Sequence, residues 1–583
     1  MVAYSVLIAG SCDSLCPCVM QHLTIEGSPR KRASFFFAQA AEAPQEYRKR
    51  PAAKEETEMT DRKSEELRKD TVYRADPLTL FHSLTKAHDN TMLLESAEIN
   101  SKAGTKSELL VNSAVRFSCS GRTVTAEALT GNGLNAVKAI AANSPKEAAC
   151  SLSGNVLTIS YPAIPSGLDE DSRLKAVSVF DCLRTAVGKI SCNDHDDLIL
   201  GGCFSYDLIA SFEKLPEIRN SSNTCPDYCF YLPETTVHVD HISRTAEIRG
   251  FLFSGENEDA EKARIEKRIA EIDAACRSGE DRAADPDDGK FVPELRVNLS
   301  DGEFCRIVEK LKGNIRRGDI FQVVPSRIFS LTCPDCYKAY RTLKETNPSP
   351  YMFFQNDRDF VIFGASPESS VKYTNATRQV EMYPIAGTMR RGFGADGKIN
   401  LDLDGKIELD MRMDIKETTE HLMLVDLARN DIARISRPGT RHLTDLLKVD
   451  RYSQVMHLVS HVVGELREDL DALNAYQACM NMGTLTGSPK IRATELIREA
   501  EGERRGSYGG AIGYITGKGD MDTCIVIRSA FVKDGIAYIQ AGAGIVFDSV
   551  PQNEANETRN KAAAVIKAIA EANGFEPGEI KHV

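Results

Sequence analysis

Two pairs of glutamates set the chemical question. In IKETTEHLMLVDLARN, Glu417 and Glu420 stand three residues apart, a spacing that puts both on one face of a helix. Leu424 and Leu427, seven residues on from each, continue that face as an apolar stripe, so the carboxylates point toward the interior. NEANETRNKAAA repeats the spacing with Glu554 and Glu557, followed by Lys561, Ala564 and Ala568. Burying a carboxylate costs several kcal/mol unless it is paired or metal-bound. Four of them converging suits Mg²⁺, a hard cation that takes oxygen ligands and keeps positions open for substrate. The competing reading is that acidic residues complement helix N-termini or pair with arginine. Spacing alone leaves both open, because it does not bring the two helices together.

The glycine clusters Gly509-Gly510 and Gly542-Ala543-Gly544 flank strand-like runs. Backbone without side chains can approach a ligand closely and offer N–H groups to a carboxylate; tight turns would use the same residues. Two look-alike motifs fail. Asn400-Leu-Asp402-Leu-Asp404-Gly405 begins like a calcium loop, but its twelfth position is Met411, where a bidentate glutamate is required. Gly542-Ala543-Gly544 begins like a dinucleotide fingerprint, but Phe547 holds the third glycine position and no helix follows directly.

These residues must be positioned by a sizeable fold. The chain has 583 residues, 42% apolar and 27% charged, a globular profile. Its net charge, 72 − 84 = −12, disfavours nucleic acid and anionic lipid as partners. An anionic substrate would therefore need local positive charge or a metal. No apolar run approaches the roughly 18 residues of a membrane span, and the short apolar opening Val2–Gly10 lacks a basic flank. A cytoplasmic protein is expected. Sixteen cysteines include one CxxC, Cys333 and Cys336, and a cluster at Cys12, Cys16 and Cys18. No second ligand pair stands at zinc spacing, so reduced thiols are expected.

Residues 1–70 read as a disordered extension, with Arg48–Lys69 dense in charge. Residues 71–277 read as an N-terminal domain of short strands such as Thr91–Ile99, Leu109–Phe117 and Leu198–Tyr206, ending in a helix over Asn257–Arg277. SGEDRAADPDDGK, residues 278–290, reads as a linker. Residues 291–575 form the expected catalytic domain, and 576–583 a tail. Helices are expected over Asp301–Arg317, Ile415–Ile435, Leu470–Met480 and Asn553–Ala572. Strands are expected over Phe321–Ser330, Tyr351–Gln355, Phe360–Gly364, Gly510–Ile515, Thr523–Val532 and Ile536–Ala541, the last two joined by a hairpin at Lys533-Asp534-Gly535. The class is α+β: antiparallel β-sheets packed together with helices on the outside.

Long stretches of the chain from about 71 to 575 resemble component I of anthranilate synthase, of the chorismate-utilising enzymes. They include LLESAEI from Leu93, GGCFSYDL from Gly201, FQVVPSR from Phe321, NPSPYMFF from Asn347 and FGASPESS from Phe363. YPIAGT from Tyr383, EHLMLVDLARND from Glu420, DRYSQVMHLVS from Asp450, MNMGTLTGSPK from Met480, RRGSYGGAIGY from Arg504 and QAGAGIVFDSVPQNEANETRNKA from Gln540 follow. The resemblance implies a chorismate-binding fold and a lyase that makes anthranilate from chorismate and ammonia. It places Mg²⁺ on Glu420 and Glu557, supported by Glu417 and Glu554. Chorismate contacts fall on Gly387, Thr388, Tyr508, Arg528, Gly542, Ala543 and Gly544. His457 and Thr484 match active-site positions, and Glu368 matches an acid near the leaving hydroxyl. Isochorismate- and salicylate-forming relatives carry a water-activating lysine where this chain has Gln322, and aminodeoxychorismate-forming relatives carry a lysine where it has Ala386. Both positions favour the anthranilate reading.

The resemblance also implies feedback by L-tryptophan at Ser96, Lys106, Pro350, Tyr351 and Met352. The chain shows no glutaminase nucleophile motif, so ammonia is expected from a separate amidotransferase subunit (component II), in a heterotetramer. The alternatives are component I of aminodeoxychorismate synthase and a tryptophan- or chorismate-binding regulator without catalysis.

Overall fold

A computed structural model describes residues 64–97, 104–165, 167–190, 197–278, 294–394, 396–451, 455–575 and 581–582. Residues 1–63 of the expected extension 1–70, residues 279–290 of the expected linker 278–290 and most of the tail lie outside them.

Most strands form one hydrogen-bonded network, antiparallel except where Glu294–Val297 runs parallel to Lys581–His582, and Gln322–Val323 pairs with Gly487–Ser488 in a separate two-stranded sheet. Two seams join the earlier strands to the later ones. Thr91–Ala97 pairs with Tyr351–Asn356, and Ile199–Phe204 pairs with Ala511–Thr516. The two expected domains thus share a continuous sheet. Their apolar faces fill large buried clusters, one of which takes residues from Leu78 to Ala572. The expected start at residue 71 comes too late: Ser64–Thr71 is a strand paired with Thr245–Phe253. Its charged residues hid it, since Arg68 spends its charge on Glu66 and Asp197 at the sheet surface.

Helices pack outside the sheets, as the class predicts. They cover Glu258–Ser278, Asp301–Arg316, Ile415–Ala433, Ala472–Cys479 and Pro551–Ala572, each close to its expected span. The hairpin between Ser529–Lys533 and Ile536–Gly542 turns through Asp534 and Gly535 at φ 52° and 73°. Positive φ at both central residues is what a two-residue hairpin loop matched to sheet twist requires.

Two expected strands are broken, and both breaks serve the site. Phe321–Ser330 divides into Gln322–Val323 and Ser326–Thr332 at Pro325, which has no N–H to give a ladder. Thr523–Val532 divides into Met521–Ile525 and Ser529–Lys533. Between them Arg528 sits at φ 50°, a left-handed conformation that costs a non-glycine residue about 1–2 kcal/mol. Among the described residues, no helix is long and apolar enough to cross a membrane.

Candidate active site

The two acidic helix starts face a common cavity. Glu417 and Glu420, on the Ile415–Ala433 helix, and Glu554 and Glu557, on the Pro551–Ala572 helix, line one cavity of about 610 Å³. The stripe below the first pair holds it in place: Leu424 is buried, and Leu427 packs over Gly483. Glu420 Oε1 accepts a 2.8 Å hydrogen bond from Gln322 Nε2. Glu557 Oε1 lies 2.5 Å from Lys561 Nζ, one helical turn on. Lys561 also donates to the Gly542 carbonyl at 3.0 Å, tying the helix to the glycine cluster.

The glycines act through close approach. A Cβ on Gly544 would stand 2.9 Å from Gln322 Nε2 and 3.2 Å from Glu420 Oε1. One on Gly542 would stand 3.0 Å from the Tyr508 hydroxyl. Gly387 interrupts the pairing of Ile385–Arg390 with Val455–Glu465, at φ 72°, beside Glu417. Ala543 alone departs from its expected contact role. Its side chain is wholly buried with Phe304, Val323 and Ile545, because alternation along the chain turns it away from the face that Gly542 and Gly544 present.

The remaining expected residues line the same cavity: Gln322, Glu368, Thr388, His457, Thr484, Tyr508 and Arg528. Glu368 is buried and accepts from the Thr484 hydroxyl at 2.9 Å. Burial pushes its carboxyl up to about 8, against the opposing pull of Thr484, Lys561 and Arg528, so it holds its proton at neutral pH. Burial lowers the Arg528 guanidinium, while Tyr508, Glu557 and Glu368 oppose that shift; it remains a cation. Burial also raises the Tyr508 hydroxyl, to about 12. His457 Nδ1 is 2.9 Å from the Thr388 hydroxyl and 3.3 Å from the Gly387 carbonyl. Two basic residues absent from the expected contacts, Arg390 and Lys561, also face the cavity. For Lys561 the signal was its i,i+4 spacing from Glu557.

The donor set suits an oxygen-seeking cation at an open site. Among the described residues, no three Asp, Glu, His or Cys side chains close into a full metal cage. Mg²⁺ does not need one, since it binds through one or two carboxylates and keeps the rest of its shell for water and substrate. The space that a Cβ on Gly544 would fill lies directly against Glu420.

The expected effector residues form a separate group where three strands meet. Ser96 stands opposite Tyr351 on one side and Lys106 on the other. Ala97 donates to the Pro350 carbonyl at 3.1 Å. Met352 is opposite Glu95, which accepts from Tyr340 at 2.7 Å and Lys344 at 2.5 Å.

Fold and cavity together define a chorismate-binding enzyme, and the sequence profile of the chorismate binding enzyme family matches residues 155–567. Anthranilate synthase component 1 of Escherichia coli K12 is 55% identical over 506 residues, covering 86% of this chain and 96% of that protein. The protein of the same name from Vibrio parahaemolyticus is 54% identical over 511 residues, 87% of this chain and 93% of its own length. The crystal structure of anthranilate synthase component I from Streptococcus pneumoniae superposes with a TM-score of 0.60 at 30% identity, over 80% of this chain and 94% of that one. The menaquinone-specific isochorismate synthase of E. coli, at 17% identity, TM-score 0.59 and coverage of 87% and 94%, shares the fold. The chain belongs to the anthranilate synthase component 1 family of chorismate-binding enzymes.

Proposed function

We propose that the chain converts chorismate and ammonia to anthranilate and pyruvate in the cytoplasm, as the chorismate-binding subunit of anthranilate synthase. The observation that carries this reading is the single cavity in which two glutamate pairs share the lining with the buried Glu368 carboxyl and the basic side chains of Arg390, Arg528 and Lys561. Glu420 and Glu557 would hold Mg²⁺, with Glu417 and Glu554 supporting them. Bound Mg²⁺ supplies positive charge that neutralises one carboxylate of the substrate dianion. Arg528 holds the other carboxylate, with the backbone beside Gly544 close enough to add to it. Glu368, proton in place and steadied by Thr484, gives that proton to the ring hydroxyl as it leaves from carbon 4 and ammonia bonds at carbon 2. Loss of the carbon 2 proton and of pyruvate then makes the ring aromatic. His457, oriented by Thr388, faces the same space.

Ammonia comes from a separate glutamine amidotransferase subunit in a heterotetramer, and L-tryptophan acts at the Ser96–Tyr351 strand group. The decisive experiment supplies purified chain with chorismate, ammonium and Mg²⁺ and identifies the product, then repeats it without metal. Anthranilate formed only with metal supports the reading. A non-aromatised aminated product would reassign the chain to aminodeoxychorismate synthesis, and no turnover would make it a binding protein.

A further inference from the structure

Arg505 stands behind the cavity wall, 1% exposed, and two stretches of that wall hang on it. The strand Gln322–Val323 stops just before Val324, and the short turn Gly483–Leu485 stops at Leu485. A buried carbonyl where regular pairing stops has no ladder to join and must find another donor. Arg505 supplies both: Nη1 donates to the Leu485 carbonyl at 2.8 Å and Nη2 to the Val324 carbonyl at 2.6 Å. Val324 and Leu485 line the cavity.

The guanidinium is itself held on every side. Glu501, the last residue of the Lys490–Glu501 helix, accepts from Nε at 2.9 Å and from Nη2 at 2.6 Å. Its Oε1 also accepts the Ser326 N–H and hydroxyl, each at 2.7 Å. The Arg505 Cζ lies 4.6 Å from the centre of the Tyr206 ring and 5.5 Å from that of Tyr508. A planar fork can stack on aromatic rings while its N–H groups bond at fixed angles; a lysine has the charge without the fork.

We infer that Arg505 is the positioning residue for the proton donor Glu368 and for Tyr508. The inference rests on the reaction proposed above and adds the group that keeps its parts in register. Thr484, next in the chain to Leu485, gives its hydroxyl hydrogen bond to Glu368 Oε1 at 2.9 Å. Thr484, Lys561 and Arg528 are the groups that favour the ionised form of Glu368. Of these, Thr484 is the one whose backbone Arg505 fixes. Releasing the Leu485 carbonyl therefore weakens one pull on the carboxyl and leaves the two cations in place.

Arg505→Lys tests this, since it keeps the charge and removes the fork. The alkaline fall of kcat/KM is expected to move up by about one pH unit, the worth of one hydrogen bond to a charged group. Below that fall kcat/KM should drop about 100-fold. Thr484→Val should move the fall in the same direction, and adding Arg505→Lys to it should move it no further. An arginine that only stabilised the fold would lower the melting temperature and slow turnover equally at every pH. That result overturns the assignment, as does a further shift in the double variant. Glu501→Gln, which loosens the fork without removing it, should give a smaller shift in the same direction; if Arg505→Lys does not fold, an unmoved fall in Glu501→Gln overturns the assignment instead. The infrared carbonyl band of protonated Glu368, identified by its loss in Glu368→Gln, follows the same titration without turnover. A shifted band in a chain that makes no anthranilate removes the proposed reaction and leaves Arg505 its role. An unmoved band in a chain whose wild type makes anthranilate does the reverse.

Discussion

Gln322 Nε2 lies 2.8 Å from Glu420 Oε1, so a residue lining the cavity also holds a proposed metal ligand. A carboxylate held by an outer hydrogen bond presents a defined oxygen to a cation. Removing such a partner typically costs 10–100-fold in metal affinity. Gln322→Ala is expected to raise the Mg²⁺ concentration for half-maximal activity by about that factor. Saturating Mg²⁺ should restore most of the rate. Glu420→Gln, which removes the ligand itself, should not be rescued. An Mg²⁺ titration of ammonium-dependent turnover separates the two behaviours.

Glu368 titrates well above the range of an ordinary glutamate. Its folded-state value, about 8, exceeds that of the unfolded chain near 4.3. The acid form is therefore the working form below about 8, and kcat/KM is expected to fall as pH rises through that value. The same shift opposes folding: between the two values the unfolded chain loses a proton that the native state keeps, so stability declines as pH rises. Glu368→Gln keeps shape and hydrogen bonding but has no proton to give. Turnover should drop about 10²–10⁴-fold, and what remains should lose the alkaline fall. A wild-type profile flat to pH 9 would deny Glu368 its role as proton donor.

Gly544 is needed for the space beside it. An added methyl would meet Gln322 Nε2 at 2.9 Å and Glu420 Oε1 at 3.2 Å, both ends of one hydrogen bond. Gly544→Ala is expected to displace that pair and lower kcat/KM by about 100-fold, the usual cost of a misplacement near 1 Å. Its thermal unfolding should change little, since the methyl points into the cavity. A variant with full activity would show that the pair tolerates the shift.

The helices and the glutamate spacing were legible because 3.6-residue periodicity is local. That the glutamate pairs share a cavity was not, since it depends on two helices more than a hundred residues apart in sequence and was implied only by the resemblance. Pro325 was visible, but its break in the strand was read through, because apolar character continues on both sides of it. Arg528 carries no local sign of its left-handed backbone. That conformation is imposed by strands that end and restart around it. Ser64–Thr71 was missed for a different reason: a charged edge strand paired on one side looks, in sequence, like a solvated tail. Ala543 shows the limit of residue-by-residue transfer, because alternation along the chain sends its side chain away from the cavity that Gly542 and Gly544 line.

The chain contains no tryptophan, which makes tryptophan itself a clean reporter of the proposed effector site. Ser96, Lys106 and Tyr351 share three adjacent strands. Met352 and Glu95 continue the same pairing, and Tyr340 and Lys344 anchor Glu95 from the neighbouring helix. That helix, Cys336–Thr346, packs against the Pro551–Ala572 helix carrying Glu554 and Glu557, so a ligand that repositions Glu95 has a packed route to the cavity. Added L-tryptophan is expected to bind with a blue-shifted indole emission, free of any protein indole background, and to lower turnover over the same concentration range. Ser96→Lys should abolish both effects by filling the strand junction with a long charged side chain, while ammonium-dependent activity without tryptophan persists. Loss of turnover with no emission change, or binding that survives Ser96→Lys, would place the effector elsewhere on the molecule.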